Sequence, residues 1–518
     1  MANKRFRITP LVRAAFGAVL ILSTLLVFTG CGGQAAEHTD TIIVGGPSMP
    51  VNLDPILTND IPSGRVMLHI YDTLVSLDHD MVPRPGLAES WEWVDPASPT
   101  QLRVFLRGGV FFHNGDELTA SDVAFSINRA AAAPIVSAFA GMVQSASVVN
   151  DHEVLITLEH PFVPLISFLG LPALSIVNER AVTEMGNAHS QSPVGTGPFR
   201  VTNIITGYRI DLVRWEHYWG TPPQVENLAF LTLPDAGTRL MALETGEIDV
   251  MITVLAHTHS HIRAHPGLTL HHELNVGTHY IAFNVSRPPF DDIRVRHAMQ
   301  YAIDLDAMVE AVFMGTMGPA RGPLSSNVWG SAADRLEPFP FNPERARELL
   351  AEAGFPDGFS TTFFANQGNP AALDTAEIMQ NMLREVGVDM SIHLLEWGAF
   401  LESSNRGEPD IITLSFITVA GDPDHGLFAP FHSSTWGAGN RAFFSNPEVD
   451  RLLEAGREET DLDARAEIYY QIQRIIRDES PWIFLAEGAE AVATRSNLQG
   501  FRLAPNLMHR FDGLHFTY

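Results

Sequence analysis

The chain has 518 residues, is 45% hydrophobic and carries a net charge of −27, with 60 acidic and 33 basic residues. This length and apolar content are sufficient for two or more globular domains. So acidic a balance disfavours binding by charge to nucleic acid or to an anionic membrane, and the single cysteine excludes a disulfide within the chain.

The first 30 residues have the layout of a secretory signal. Basic residues between Lys4 and Arg13 precede an apolar run over residues 14–29, and the small residue Gly30 stands directly before Cys31. The segment resembles a bacterial lipoprotein signal, in which the cysteine thiol is acylated and becomes the new N-terminus. A plain secretory signal and an uncleaved anchor are the alternatives. The apolar run is shorter than the ~20 residues that a membrane span needs, which counts against the anchor.

Cleavage before Cys31 removes four basic and no acidic residues, including the only lysine, and leaves a net charge of −31. Residues 31–40 then form a short polar tether between the lipid and the folded chain. We therefore predict an extracytoplasmic protein, lipid-anchored to the bacterial membrane in the periplasm or at the cell surface.

The first part of the mature chain alternates short strands with helices. Residues 41–46 indicate a buried strand that ends in a Gly-Pro turn. Residues 102–107 alternate apolar and polar side chains, and a Gly-Gly turn leads from them into a second strand at 110–113. Thr119 and Asp122 are typical of a helix start. This mixture predicts α/β or α+β lobes.

Two later strands, near residues 279–284 and 482–487, are expected to cross between lobes. The block between them is rich in helices, each with apolar residues at three- and four-residue spacing, and these are predicted at 295–301, 343–353, 375–386 and 463–477. A chain that leaves one lobe, builds a second and returns has two linkers side by side, which predicts a hinge.

The common catalytic motifs are absent from the sequence. It has no GxSxG elbow, no phosphate loop ending in Gly-Lys-Ser/Thr, no HExxH and no thiol nucleophile beyond Cys31. Gly195-Thr-Gly197-Pro198 is interpreted as a tight turn, because Pro198 would block the helix start of a dinucleotide loop. We predict that the protein is not an enzyme and has no cofactor.

Seven histidines lie within residues 257–279. If the segment is helical, His257, His261 and His265 form a stripe that could hold Zn²⁺ or Ni²⁺, whereas in an extended segment His257, His259 and His261 share a face. The alternative is a solvent-facing segment, and no cysteine or carboxylate pattern completes a metal site. We assign no metal here. His279 lies on the predicted hinge strand and is a separate candidate for the ligand cleft.

From Ile42 to about Pro505 the chain resembles the large solute-binding proteins of peptide-type ABC importers, extracytoplasmic solute-binding protein family 5. Dipeptide, oligopeptide, glutathione and nickel receptors belong to this family. The matching segments occur in family order and are Asn52-Leu-Asp-Pro55, Tyr71-Asp-Thr-Leu-Val75, Pro85-Gly-Leu-Ala-Glu-Ser-Trp91, Arg107–Gly115, Leu118–Val123, Pro193–Phe199, Tyr218-Trp219, Gly246–Asp249, Pro289–Arg296, Tyr301–Asp304, Gly421-Asp-Pro423 and Ser445–Asp450.

The resemblance implies a two-lobed periplasmic-binding-protein type II fold of the α/β class that closes on a ligand around two crossing strands. Lobe I is expected at 41–278 with an inserted subdomain at about 57–190, lobe II at 279–486, and a return to lobe I at 487–518. It also implies a monomer that delivers a small peptide or peptide-like solute to a membrane permease and its ATPase.

The resemblance places the ligand along the strand Ser415-Phe416-Ile417-Thr418-Val419. In peptide receptors of the family an aspartate at the position of Val419 usually receives the α-ammonium group, and a valine cannot pair with a cation. The loop 364–369 also lacks the arginine that binds the carboxylate in dipeptide receptors. Unless Asp422 or Asp424 substitutes, these changes argue against an ordinary dipeptide and favour a modified dipeptide or a glutathione-like solute.

Four further residues are candidates by resemblance. Arg441, which follows Asn440, could bind a carboxylate or instead be structural, and Trp397 could line the pocket or pack in the core. Ser48 and Met49 occupy a turn that faces the ligand in relatives. The ligand-binding candidates are therefore Ser48, Met49, His279, Trp397, Ser415, Phe416, Ile417, Thr418, Val419, Asp422, Asn440 and Arg441. A nickel or metal-chelate receptor and a peptide-sensing lipoprotein without import remain alternatives.

Overall fold

The computed structural model describes residues 40–437 and 439–517. The predicted signal, the tether before Asp40 and the lipid site Cys31 lie outside the described residues. The strands are β1 (Thr41–Gly46), β2 (Val75–Leu77), β3 (Pro83–Pro85), β4 (Ala88–Trp93), β5 (Gln101–Leu106), β6 (Val143–Asn150), β7 (Glu153–Leu158), β8 (Phe199–Ile205), β9 (Arg209–Arg214), β10 (Asn227–Thr232), β11 (Val250–Ile252), β12 (Leu268–Phe283), β13 (Phe359–Asn366), β14 (Val388–Leu395), β15 (Ile411–Ile417), β16 (Trp482–Arg495), β17 (Leu498–Gln499) and β18 (His515–Phe516).

The α-helices lie between these strands along the chain. They are α1 (Ile61–Ile70), α2 (Ala120–Ala131), α3 (Ser137–Ala140), α4 (Leu165–Phe168), α5 (Glu179–Met185), α6 (Ala236–Thr245), α7 (His259–Ala264), α8 (Ile293–Ala302), α9 (Leu305–Phe313), α10 (Pro343–Glu352), α11 (Pro370–Arg384), α12 (Trp397–Asn405), α13 (Pro423–Phe431), α14 (Pro447–Glu458) and α15 (Leu462–Glu479).

Ten strands form one continuous mixed sheet in the order β14-β13-β15-β12-β16-β11-β1-β10-β9-β8. The two long strands β12 and β16 are antiparallel neighbours at its centre. The C-terminal part of β12 pairs with β15 from the second half of the chain, and the C-terminal part of β16 pairs with β11 from the first half. The two long strands therefore tie both halves of the chain into one sheet.

The pairing of β12 with β16 is interrupted where the sheet passes from one half to the other. Residues 275–277 stand opposite the single residue Gly488, since Leu274 pairs with Ala489 and Thr278 pairs with Glu487. A β-carbon at Gly488 would lie 2.3 Å from the Asn275 side-chain oxygen, so only glycine fits there. Such a bulge bends a strand locally, and its position lies beside the predicted boundaries at 278/279 and 486/487, which stay predictions.

A separate four-stranded antiparallel sheet has the order β4-β5-β7-β6. Its strands come between β1 and β8 along the chain, and residues 74–176, which include them, are called the inserted part. The apolar face of this sheet packs with α2 in a core that draws almost all its residues from the stretch 74–176. Ala420, from the second half of the chain, is buried in the same core. The inserted part thus packs directly against the segment that follows β15.

Several sequence predictions are confirmed. Strand β1 occupies residues 41–46, and α2 begins with the expected capping box of Thr119 and Asp122. The four predicted helices of the second half are present with ends shifted by a few residues. The strand predicted at 110–113 is wrong, because this segment makes only an isolated bridge between Phe111 and Glu117.

Over the two described ranges, no single helix is both long and apolar enough to cross a membrane. The bent pair Ala120–Ala131 and Pro134–Ala140, with an angle of 84°, meets the length and composition criteria only when taken together.

Candidate ligand-binding site

Strand β15, which contains Ser415, has one open edge. One side of it pairs with β12 along its whole length, but β13 pairs with the other side only at Ile411 and Ile412. The backbone N–H of Thr418 donates to a carbonyl of β12 (2.9 Å). Because backbone groups of successive residues point to opposite edges of a strand, those of Thr413 and Ser415 point away from β12. Within residues 40–437 and 439–517 no strand pairs with that edge after Ile412, and it can accept an extended partner.

A cavity of about 260 Å³ lies beside this edge. His279 and Ser415, which face each other across the β12–β15 pair, form one wall, and Trp397 at the start of α12 forms another. The remaining lining residues are Phe313, Asn366, Asn369, Ala371, Ala372, Thr375, Thr413, Leu414 and Leu485. The structure therefore brings three of the candidate residues together around one cavity.

This cavity is polar but uncharged. Its lining residues, all in the described part of the chain, include no acidic residue, lysine or arginine. Burial lowers the pKa of His279 to about 4, so its imidazole is neutral near pH 7. Amides, hydroxyls and a neutral imidazole suit an uncharged polar group such as a peptide or side-chain amide.

Trp397 presents much of its ring to the cavity. Its side chain is 47% exposed, and its ring stacks on Phe400, with the ring centroids 5.8 Å apart. The fully buried Phe400 fixes the orientation of the tryptophan from below. Trp397 is therefore a wall of the cavity, and its contact with the core is made through Phe400.

Val419 lies in apolar surroundings. It packs against the core of the inserted part, and Phe139, Leu171 and Met508 line a small space of about 20 Å³ beside it. Asp60 also lines this space, and its carboxylate accepts hydrogen bonds from the Ser63 N–H and hydroxyl. Val419 itself thus offers only carbon atoms to an ammonium group, and the carboxylate that lines this space, Asp60, is already hydrogen-bonded to Ser63.

The Asp422 side chain is held in a buried ion pair, and its predicted ligand role stays a prediction. Both of its carboxylate oxygens accept hydrogen bonds from the Arg465 guanidinium at 2.8 Å, and the side chains are 6% and 3% exposed. Asp424 is likewise paired with Arg457, at 2.7 and 3.1 Å. Neither carboxylate is free to replace an aspartate at position 419.

Asn440 is also structural. It is fully buried, its amide donates to the carbonyls of His432 and Phe444, and its side-chain oxygen accepts from the Phe444 N–H. All of these bonds organise its own loop. The ligand role predicted for this side chain stays a prediction.

Arg441 is placed away from the 260 Å³ cavity. Its Nε donates to the Asn405 side chain at the end of α12 (3.0 Å), whereas Trp397 is at the start of the same helix. Burial lowers the pKa of Arg441, and the nearby Tyr280 opposes that shift. Its predicted contact with a carboxylate stays a prediction.

The other strand residues face different surroundings. Phe416 and Ile417 are half-buried and pack against the core of the second half, with the Phe416 ring 5.3 Å from that of His425. Thr418 is 2% exposed. Their side chains anchor the strand, and the open backbone edge remains the part available to a ligand.

Ser48 and Met49 lie in a different place from Trp397. With Arg65 they line a space of about 20 Å³ that shares no residue with the larger cavity. Arg65 donates from Nε and Nη2 to the Leu507 carbonyl, at 3.2 and 2.7 Å. The contact of Ser48 and Met49 with a ligand stays a prediction.

The histidine cluster does not form a metal site in the part of the chain that the structure describes, where no group of three or more His, Cys, Asp or Glu could hold a metal ion. His261 instead bonds to Glu244 (2.6 Å), His271 bonds to Thr494 (3.0 Å), and His259 is buried beside His272. These separate contacts split the stripe that a helix could have formed, because α7 spans only His259–Ala264.

Sequence reasoning missed most of the cavity wall. Asn366 and Asn369 belong to the loop that was noted only for its lack of arginine, and Thr375 lies one turn and a half into α11. The pair Asn369-Pro370 indicates the start of α11, since asparagine before proline is typical of a helix start. It places the loop end and the helix start, but not the cavity that they line.

Residues 82–438 match the family described as bacterial extracellular solute-binding proteins, family 5 middle. The chain belongs to this family. Its homologues are solute-binding receptors of ABC transporters and not enzymes, so this solute-binding protein is extracytoplasmic and is not an enzyme.

The relatives cover nearly the whole chain. Heme-binding protein A from Haemophilus influenzae is 31% identical over 92% of this chain and 93% of its own length. The glutathione-binding protein GsiB from Pectobacterium atrosepticum is 30% identical over 92% and 94%. The structure of HbpA2 from Haemophilus parasuis matches with a TM-score of 0.84 and 28% identity, over 92% of this chain and all of that chain. The predicted periplasmic-binding-protein type II fold is confirmed.

Proposed function

We propose that this solute-binding protein is a lipid-anchored receptor of an ABC importer that captures a small peptide or peptide-like solute between its two lobes. Its cargo is a modified dipeptide or a glutathione-like solute, which it delivers to a permease and its ATPase. The anchor is the acylated Cys31, which would keep the receptor beside the permease and raise its effective concentration there.

The observation that carries this proposal is the open edge of β15 beside the uncharged cavity. An edge strand binds an extended backbone through main-chain hydrogen bonds, and the adjacent pocket takes an alternate side chain. The outward carbonyl of Thr413 and the outward N–H and carbonyl of Ser415 supply those bonds, and the space beside Trp397 supplies the pocket.

The lack of a charged side chain at position 419 itself supports a cargo without an ordinary free amino end there. Val419 lies against carbon atoms, and Asp422 and Asp424 are occupied by Arg465 and Arg457. A blocked amine, or an amine carried on a side branch as in glutathione, avoids the several kcal/mol that an unpaired buried ammonium would cost.

Native mass spectrometry of the full chain, purified without denaturation in a non-ionic detergent, tests the cargo. A retained mass of peptide size supports the proposal, and its fragmentation reports whether the α-amine is free. A retained haem, a metal chelate, or an ordinary α-linked peptide with a free amino end would contradict the cargo proposed here.

The anchor has its own test. Cys31→Ser is expected to abolish lipid labelling and release the protein from the membrane without unfolding it. Normal lipid labelling of this variant would contradict the anchor and leave the cargo proposal unaffected.

A further inference from the structure

A second cavity, of about 540 Å³, lies apart from the 260 Å³ cavity beside Trp397. It is lined by the stretch from Leu68 to Gly86, by Gly170 and Pro172, by Tyr218 and Trp219, and by the C-terminal stretch from Gly500 to Gly513. It shares no residue with the 260 Å³ cavity. Protein interiors contain few voids larger than a water molecule, so a space of this size is a feature of the fold that a solute can fill.

The carboxylates on its wall already have donors. Asp72 accepts hydrogen bonds from the Trp219 indole (2.8 Å), the Thr196 hydroxyl (3.1 Å) and the Tyr218 hydroxyl (3.3 Å). Burial raises the pKa of Asp72, and Arg510 and these hydrogen bonds oppose that shift. This group is satisfied by the protein and offers little to a cationic solute.

The other two carboxylates are paired with arginines. Asp78 accepts from Arg84 (2.8 Å) and from two backbone N–H groups of its own turn. Asp512 accepts from Nε and Nη2 of Arg510, at 3.0 and 3.4 Å. The negative charges of the wall are therefore compensated internally.

The two arginines of the wall have N–H donors without a hydrogen-bond partner among the described residues. Arg502 is exposed to the cavity and, over residues 40–437 and 439–517, has no ion pair and no hydrogen bond from its guanidinium. In the same part of the chain, the Nη1 of Arg510 has no hydrogen-bond partner. Two guanidinium groups with free N–H donors on one cavity favour a carboxylate, which they bind with directed, charge-assisted hydrogen bonds.

Part of the wall is apolar, whereas Thr73, Ser76, His79 and Asn506 add polar groups to it. Leu77, Met81, Leu503 and Met508 line it together with the ring of Trp219, over which the Arg107 guanidinium lies 4.7 Å from the centroid. A wall of carbon atoms with a few convergent polar groups is the usual make-up of a small-molecule site. It adds to the carboxylate a preference for an apolar body.

We propose that this cavity is a second solute site, which takes a small carboxylate with an apolar body and binds its carboxylate through Arg502 and Arg510. The site is distinct from the cargo site, and its existence does not depend on the identity of the cargo.

The test uses 3-phenylpropionate and its uncharged analogue 3-phenylpropionamide, titrated calorimetrically into the full chain in non-ionic detergent after removal of retained cargo. We expect the acid to bind about tenfold more tightly than the amide, because only the acid meets the guanidinium groups. Arg502→Gln should weaken binding of the acid about fivefold or more, and Arg502→Lys should restore part of it.

Two matched variants locate the binding. Arg474 is an exposed arginine of α15 away from the cavity, so Arg474→Gln should leave the affinity for the acid unchanged. Trp397→Ala alters only the cargo cavity and should also leave it unchanged. Equal binding of acid and amide, no binding at about 10 mM acid, or a loss in Trp397→Ala but not in Arg502→Gln would each overturn the proposal.

Discussion

Met81 and Gly421 are packed so closely that a β-carbon added to Gly421 would lie 2.4 Å from the β-carbon of Met81. Met81 stands on the loop between β2 and β3 in the inserted part, and its side chain is buried in a core of the second half. Gly421 follows the segment of β15 and Val419 directly. The contact thus joins the inserted part to the end of the proposed ligand strand.

Gly421→Ala is expected to destabilise the protein for two reasons. The new methyl group would overlap the β-carbon of Met81, which cannot move without its backbone, and the residue has a φ of +68°. Gly109 is a matched control, since its φ is +70° and nothing lies within 4 Å of an added β-carbon. Chemical denaturation should show a loss for Gly421→Ala that exceeds the loss for Gly109→Ala by about 1–3 kcal/mol. Equal losses in the two variants would mean that backbone strain alone, and not the contact with Met81, sets the cost.

The buried pair of Asp422 and Arg465 should be costly to break. Arg465→Ala leaves an uncompensated carboxylate at 6% exposure and is expected to lower the free energy of unfolding by about 3–5 kcal/mol. The exposed pair of Arg451 and Glu448 is the control, because Arg451→Ala should cost no more than about 1 kcal/mol. Urea denaturation of both variants makes the comparison, and similar losses would contradict a structural role for the buried pair.

The open edge of β15 makes a prediction about backbone groups. Ser415→Pro removes an N–H that points to the open edge, so it should weaken cargo binding about tenfold or more and leave the fold intact. Leu414→Pro removes an N–H that points to β12 and should unfold or strongly destabilise the protein. Calorimetry with the retained cargo measures the first effect, and thermal unfolding measures both. Unchanged cargo affinity in a folded Ser415→Pro variant would remove the edge from the binding site.

The lining of the cargo cavity makes Trp397 a second target. Trp397→Ala is expected to weaken cargo binding about tenfold, because the ring is 47% exposed and forms a wall of the cavity. Trp436→Ala is the control, since that ring is 49% exposed but lines neither the 260 Å³ nor the 540 Å³ cavity. A fall in cargo affinity that is equal in the two variants would argue against the assignment of this cavity.

The sequence predicted the framework well and the site only in part. Strand ends, helix caps and the two crossing strands follow from local patterns, since Asn-Pro pairs and three- and four-residue spacings act over a few residues. The sequence identified His279 and Ser415 as candidates but did not show that they lie opposite each other. The register between β12 and β15 depends on contacts across about 130 residues of chain. Asp422 and Asn440 were assigned to the ligand because the sequence does not show that Arg465 and the Phe444 backbone already occupy them.

His69 predicts how stability depends on pH. Its ring is fully buried, with Nδ1 2.9 Å from the Arg65 carbonyl and Nε2 accepting from the Phe511 N–H at 2.9 Å, an arrangement that only the neutral ring satisfies. Burial lowers its pKa from 6.5 to about 4. The unfolded chain therefore binds one more proton than the native state between these values, and stability falls as the pH is lowered through this window.

The histidine should contribute a slope of about 1.4 kcal/mol per pH unit to the free energy of unfolding between pH 6.5 and 4. His69→Asn keeps an amide donor near the Arg65 carbonyl but no longer titrates, so its unfolding free energy should depend less steeply on pH by that amount. Urea denaturation of the variant and of the native protein at several pH values measures the two slopes. The same pH dependence in His69→Asn and in the native protein would mean that the histidine is protonated equally in the folded and unfolded states. That result would exclude a neutral ring held by two hydrogen bonds.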